Sequence, residues 1–273
     1  MLSIENDYFI GQVNPQQGAR LLSLQRKQRG GLEPIVLAPC EGQLIGQKAT
    51  AFPLIPFGGR LQDGIFAWQD GNIRLPCQPG QCILHGDGSR RPWNIHDHTP
   101  ESITMGLEYP SQGWPFPARI QMRYLVRGPS FKAIFYVRNL SASPIPFGLG
   151  WHPYFAFAKD HWLTLNVKDR AKLTASGFSP KLRPEPRIQT FSAGDGPATW
   201  QFRFGGGSIQ MGRGASAMYD IVCSSSVDHV VIHLAPNQDS IAIEPMSHPL
   251  HDPGASVVPG NGRKSMAVML RLR

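Results

Sequence analysis

Apolar and polar positions alternate with period two along several stretches of this 273-residue chain. Ile120, Met122, Tyr124 and Val126 alternate with Arg119, Gln121 and Arg123, and Met266, Val268, Leu270 and Leu272 alternate with polar or smaller residues. Successive side chains of a strand point to opposite faces, so the pattern predicts half-buried strands rather than helices. Val230, Ile232 and Leu234 form another such run. Pro236-Asn237-Gln238-Asp239 stops it before Ile241 and Ile243 resume, which predicts a hairpin. Many short strands joined by Gly/Pro turns predict an all-β chain, a large antiparallel β-sandwich. The most loop-like stretch is Gly194 to Gly214, with Gly205-Gly206-Gly207 at its centre.

Composition agrees with this pattern. Gly (29) and Pro (25) make up about one residue in five, well above average usage, which leaves little room for helices. The length is enough to bury a substantial core, and no repeat, low-complexity tract or composition shift marks a boundary. Residues 1–273 are therefore read as a single domain. Cys40, Cys77, Cys82 and Cys223 show no paired metal-ligand spacing and are read as free thiols in a reducing compartment. Met1 to Ile10 carries Glu5 and Asp7 and no basic stretch followed by an apolar one, so neither a secretory signal nor a membrane span is expected, and the expected location is cytoplasmic.

The net charge of +8 suggests an anionic partner, either nucleic acid or a phosphorylated or acidic small molecule. The densest basic cluster, Arg26, Lys27 and Arg29, is too short for a nucleic-acid tract and reads as a solvated strand end or turn. No nucleic-acid or membrane partner is expected, and the pattern leaves the oligomeric state open.

Three short motifs carry the chemistry: Leu84-His85-Gly86 running on to Arg91-Pro92-Trp93, Gly148-Leu149-Gly150-Trp151-His152-Pro153-Tyr154-Phe155, and Ile243-Glu244-Pro245-Met246-Ser247-His248. Strand parity puts Phe147, Leu149 and Trp151 on one face and Gly148, Gly150 and His152 on the other, where glycines beside a histidine predict a face open to a ligand. Likewise Ile241 and Ile243 point one way while Ala242 and Glu244 point the other. A carboxylate and an imidazole facing one cleft are what an enzyme needs to donate one proton while removing another at neutral pH. A carboxylate near its usual pKa is ionised at pH 7, and a His drawn towards it stays partly protonated.

In these motifs and their order the chain resembles the aldose 1-epimerases, or mutarotases, in particular bacterial members with a Gly-Leu-Gly-Trp-His-Pro-Tyr-Phe motif. Pro56-Phe57-Gly58-Gly59-Arg60-Leu61 with Gly64-Ile65-Phe66 resembles the family's Asn-Arg-Ile segment and the strand after it, with Gly59 where Asn is usual. His85-Gly86 through Trp93, Trp114-Pro115-Phe116-Pro117-Ala118, Gly148 to Phe155 and Glu244 to His248 follow in family order.

The resemblance implies a galactose mutarotase-like antiparallel β-sandwich with an open cleft, and a reaction without cofactor or metal that interconverts the α and β anomers of a free aldose. It makes Glu244 the base that takes the C1 hydroxyl proton and His152 the acid that protonates the ring oxygen. His85 would hydrogen-bond the sugar near the ring oxygen, and Arg60 would donate to a hydroxyl or ring oxygen from the rim. Many relatives carry an Asp that contacts sugar hydroxyls. Here the corresponding region reads Gly194-Asp195-Gly196-Pro197-Ala198-Thr199-Trp200, making Asp195 a displaced candidate whose loss would affect selectivity more than rate. Two further readings remain: a catalytically silent carbohydrate-binding relative, and a mutarotase for a phosphorylated or acidic sugar.

Each residue also has an ordinary reading. A Glu ending a strand before Pro is usually a solvated edge residue, and a lone His is more often a hydrogen-bonded core residue. His85 fits a turn capping Gly86-Asp87-Gly88, Arg60 an ion-pair partner of Asp63, and Asp195 a solvated turn residue. Trp93 and Trp151 read as core or rim residues rather than sugar platforms. His96 with His98, and His248 with His251 and Asp252, have spacings a zinc site could use but lack further ligands at a recognisable spacing, so no metal is expected. His248 is expected only to position the loop after Glu244.

Overall fold

The computed structural model describes residues 1–39, 49–178, 181–234 and 239–273. Among the described residues strands make up 61% and are paired antiparallel, and the helical segments are short 3-10 turns such as Pro15–Gln17 and Gly88–Arg90. The large antiparallel, all-β architecture expected from the sequence is therefore the one observed.

Alternation does what it predicts on two of the strands where it is clearest. In Trp114–Arg127, Ala118, Ile120, Met122, Tyr124 and Val126 are buried while Arg119 and Gln121 face out. In Arg263–Leu272, Met266, Val268 and Leu270 are buried and Leu272 packs partly against the core. These strands neighbour Ser130–Asn139 on either side, with Met122 opposite Phe135 and Phe135 opposite Met266, so one face of the sheet supplies a continuous apolar layer.

The strands beside the candidate site differ. His229–Leu234 and Ser240–Met246 pair with Ile232 opposite Ile243 and Leu234 opposite Ile241, as a hairpin requires. The predicted turn residues Pro236, Asn237 and Gln238, like Cys40, lie outside the described residues. Almost every residue of this pair is buried on both faces. Ile232, Ile241 and Ile243 enter the main core, while Val231, Ala242 and Met246 join Phe52, Leu54, Tyr154 and Leu250 in a second apolar cluster on the opposite side. That second cluster is the floor of a cavity.

Two expectations need correction. Gly194 to Gly214 is not mainly loop: it contains the strands Ala198–Arg203 and Gly207–Arg213, joined by a turn in which Gly205, Gly206 and Gly207 all take positive φ. The glycines there reverse the chain between strands. Gly148 and Gly150 do not open a face to a ligand. A Cβ at Gly148 would run into the His248 ring, and one at Gly150 would stand 2.9 Å from Leu54 Cβ and 3.0 Å from Met246 Cγ. The missing side chains admit protein neighbours instead.

Cys77, Cys82 and Cys223 are free thiols. Arg26 pairs with Glu33 at 3.9 Å and Lys27 with Glu5 at 3.5 Å, as expected of a solvated strand end.

Candidate active site

Three strand neighbours build the floor of the site. Trp151–Ala156 lies between Ala51–Pro53, where His152 faces Phe52, and Ser240–Met246, where Tyr154 faces Ala242. Residues opposite one another share a face, so Phe52, His152, Tyr154, Ala242 and Glu244 rise on the same side, as parity predicted for His152 and Glu244. His152 Nε2 stands 3.3 Å from Glu244 Oε1, with both side chains almost fully buried. The His152 ring stacks on Phe52 at 4.6 Å and tilts against Tyr154 at 4.8 Å, which fixes its plane.

A separate two-stranded sheet forms the rim. Arg60–Gln62 pairs with Cys82–Leu84, bringing Arg60 opposite Leu84 and thus next to His85. His85 takes a positive φ of 58° and turns its ring back over the rim, where Nδ1 accepts from the Gly59 N–H at 3.0 Å. Its own N–H donates to the Gly59 carbonyl at 2.8 Å, closing a reciprocal pair. The ring meets His152 edge-on at 5.5 Å. Asp63 does not pair with Arg60: it accepts from Gly80 N–H at 2.6 Å and from Gln62 Nε2 at 3.3 Å.

These residues enclose a cavity of about 350 Å³, within the range of small-ligand sites. Arg60, His85, His152 and Glu244 line it together with Tyr154, Thr174, Thr199, His233 and His251. Asp195 is not among the lining residues. Its carboxylate accepts from Ser192 N–H at 2.6 Å and from Ser192 Oγ at 3.0 Å, capping an exposed turn. Thr199 and His233 stand at the far wall instead, with Thr199 Oγ1 2.7 Å from His233 Nδ1.

His233 escaped the sequence reading although a signal existed. Hairpin register puts it opposite Ala242, on the face already assigned to Glu244. Tyr154 was likewise readable two residues on from His152. His251 had no comparable signal.

Burial sets the proton inventory. It pushes the Glu244 carboxyl up to about 8, against a smaller opposing pull from Arg60. It pushes His152 well below the usual imidazole range, helped by His85, His233 and Arg20. The expectation of an ionised Glu244 beside a partly protonated His152 is thereby reversed, because desolvation disfavours both charged forms. At neutral pH the pair holds one proton, resting on the carboxyl, and the imidazole 3.3 Å away can accept it. The pair can therefore supply one acid and one base.

The histidines set aside as metal ligands have other partners. His248 Nε2 accepts from Gly58 N–H at 2.9 Å, His251 Nδ1 accepts from Arg60 N–H at 2.7 Å, and His98 Nε2 lies 2.8 Å from the Ser3 carbonyl. No group of three metal-capable side chains occurs among the described residues. Trp93 and Trp151 are buried in the core.

Residues 1–186 match the sequence model of the aldose 1-epimerase family. The chain belongs to this family. The matched region contains Arg60, His85 and His152, and Glu244 lies beyond it. The uncharacterized protein YphB of Escherichia coli K12 is 29% identical over 147 residues, 52% of this chain and 47% of that protein. The alignment thus spans about half the length of that curated relative. Among solved structures, a galactose mutarotase-like protein from Clostridium acetobutylicum superposes with a TM-score of 0.85 at 15% identity, covering 99% of this chain and 94% of its own. A GalM/aldose epimerase homologue from C. elegans gives 0.81 at 12% identity, covering 100% and 98%. At these identities the structural likeness establishes that this epimerase-family chain has the family fold over its whole length.

Proposed function

We propose that this protein is an aldose 1-epimerase that interconverts the α and β anomers of a free aldose by general acid/base ring opening and closure. The observation that carries this reading is the 3.3 Å approach of His152 Nε2 to Glu244 Oε1 on the floor of a sugar-sized cavity. Arg60 and His85 stand on its rim as hydrogen-bond donors.

Transfer of the shared proton from Glu244 to His152 prepares the pair. Glu244 then takes the C1 hydroxyl proton while His152 delivers its proton to the ring oxygen, and the bond from C1 to the ring oxygen breaks. The products are the open-chain aldehyde, a protonated Glu244 and a neutral His152, which is the protonation state that burial favours. Rotation about the C1–C2 bond exposes the other carbonyl face. Closure returns the hydroxyl proton to His152 and the Glu244 proton to O1. No proton is gained or lost over the cycle.

His85 Nδ1 accepts the Gly59 N–H, so its proton sits on Nε2, and His85 serves as a neutral donor to a sugar oxygen rather than as an acid. We place the enzyme in the cytoplasm as a single domain. The free thiols at Cys77, Cys82 and Cys223 and the continuity of the main apolar core from Ile4 to Leu270 support this placement.

The test is a polarimetric or saturation-transfer NMR screen of anomer exchange with glucose, galactose, their 6-phosphates and an acidic sugar. Exchange of at least one free aldose well above the spontaneous rate is expected. Exchange confined to the phosphorylated or acidic sugars would change the substrate class, and no acceleration for any sugar would leave a silent binder.

A further inference from the structure

Three histidines hold three consecutive peptide N–H groups at the cavity rim. Gly58 donates to His248 Nε2 at 2.9 Å, Gly59 to His85 Nδ1 at 3.0 Å and Arg60 to His251 Nδ1 at 2.7 Å. A ring nitrogen that accepts a hydrogen bond carries no proton, so all three imidazoles are neutral and their tautomers are set.

The rim needs such anchoring. Among the described residues Arg60–Gln62 pairs only with Cys82–Leu84, in a two-stranded sheet separate from the large sheet that carries His152 and Glu244. Strand ladders therefore do not set the distance between Arg60 and the catalytic pair. His248 and His251 do belong to the right part of the chain, since they follow directly on Ser240–Met246, the strand that ends just past Glu244. The His251 N–H also donates to the Gly58 carbonyl at 3.3 Å, so the two segments are tied in both directions.

We infer that His251 is a positioning residue for sugar binding: by holding the Arg60 peptide to the segment that follows Glu244, it sets where the Arg60 guanidinium meets the substrate. This rests on the epimerase reading of the cavity. Packing holds the His251 ring from both sides. Gly59, at φ 85°, leaves the room the ring occupies, for a Cβ there would stand 2.5 Å from His251 Nδ1 and 2.8 Å from its backbone nitrogen. Phe178 covers the ring on the other side at 5.2 Å, and the adjacent Gly177 lies against the Arg60 guanidinium. His251 Nε2 is buried without a hydrogen-bond partner, so the ring's polar tie among the described residues is the one to Arg60.

Two substitutions separate this role from simple packing. His251→Phe keeps a ring against Phe178 and removes the acceptor, whereas His251→Asn gives up the ring and keeps an oxygen near the place of Nδ1. Because the lost interaction positions a binding group rather than the acid or base, His251→Phe is expected to raise KM about tenfold with kcat within about threefold of wild type. His251→Asn is expected to keep both constants within about threefold of wild type. Should His251→Phe fail to fold, Gly59→Ala displaces the same ring from the opposite side and carries the same expected KM signature. Equal KM for the Phe and Asn variants, or a kcat loss as large as the KM rise, would overturn the inference. An active wild type with a normal KM in His251→Phe removes the positioning role alone. A wild type inactive on every sugar removes the epimerase reading and the inference with it.

Discussion

Glu244 and His152 approach within 3.3 Å of each other with both side chains almost fully buried, and burial moves their pKa values in opposite directions. Both shifts favour the neutral forms over a fixed ion pair. Glu244→Gln keeps shape and hydrogen bonding but cannot accept the C1 hydroxyl proton, and His152→Asn cannot deliver one to the ring oxygen. Each is expected to lower kcat by about a hundredfold to ten-thousandfold while sugar affinity changes little. Saturation-transfer NMR together with a binding titration checks this, and kcat within a few fold of wild type in either variant removes that residue from proton transfer.

The same pair predicts an alkaline limb in the pH profile. The active form carries one proton, which is lost as pH rises through the raised Glu244 value of about 8. The apparent pKa belongs to the pair. kcat/KM is expected to fall above pH 8, and a profile flat to pH 10 would contradict a shared proton.

Glu244 also bears on stability. Its folded value of about 8 lies above the ordinary 4.5, so its contribution is present below about pH 4.5 and is lost as pH rises through 8. Glu244→Gln does not titrate. Its Tm is expected to exceed that of the wild type by several degrees at pH 8.5, with the gap closing towards pH 4.5. A constant difference across this range would show that ionisation plays no part.

At the acid end the three rim histidines contribute alongside His152. Burial, aided by neighbouring cationic groups such as Arg60 and Lys264, depresses His85 and His248 to about 3 and His251 to about 4. Their folded values lie below the ordinary 6.5, so their contribution is present above pH 6.5 and is lost as pH falls towards 4 and 3. Protonation turns each acceptor into a donor facing another donor. Tm is expected to drop steeply from pH 6.5 to pH 4, and less steeply in His248→Gln, whose amide oxygen can accept the Gly58 N–H without titrating. Parallel curves for the two proteins would exclude His248 from the acid response.

Sugar preference is expected to follow the far wall rather than Asp195. Asp195→Ala removes the cap on Ser192 and should lower Tm slightly, leaving the ratio of kcat/KM for glucose and galactose unchanged. His233→Ala, which removes the partner of Thr199, should shift that ratio. The reverse outcome would return Asp195 to the substrate.

What the sequence determined by itself was local or periodic. Alternation at Ile120 to Val126 specifies a strand and its buried face because side-chain direction along a strand needs no knowledge of the partner. For the same reason parity correctly put His152 and Glu244 on the faces they occupy. The tertiary structure decided whatever depends on which residues meet. The sequence shows that Gly148 and Gly150 lack side chains, but only packing shows that His248, Leu54 and Met246 use the space. Thr199 reaches His233 across 34 positions and Arg60 reaches His251 across 191, through register and chain path that composition does not encode. The protonation of Glu244 reversed the expectation for the same reason: a carboxyl's ordinary pKa belongs to water, and the depth of its burial is a property of the assembled fold.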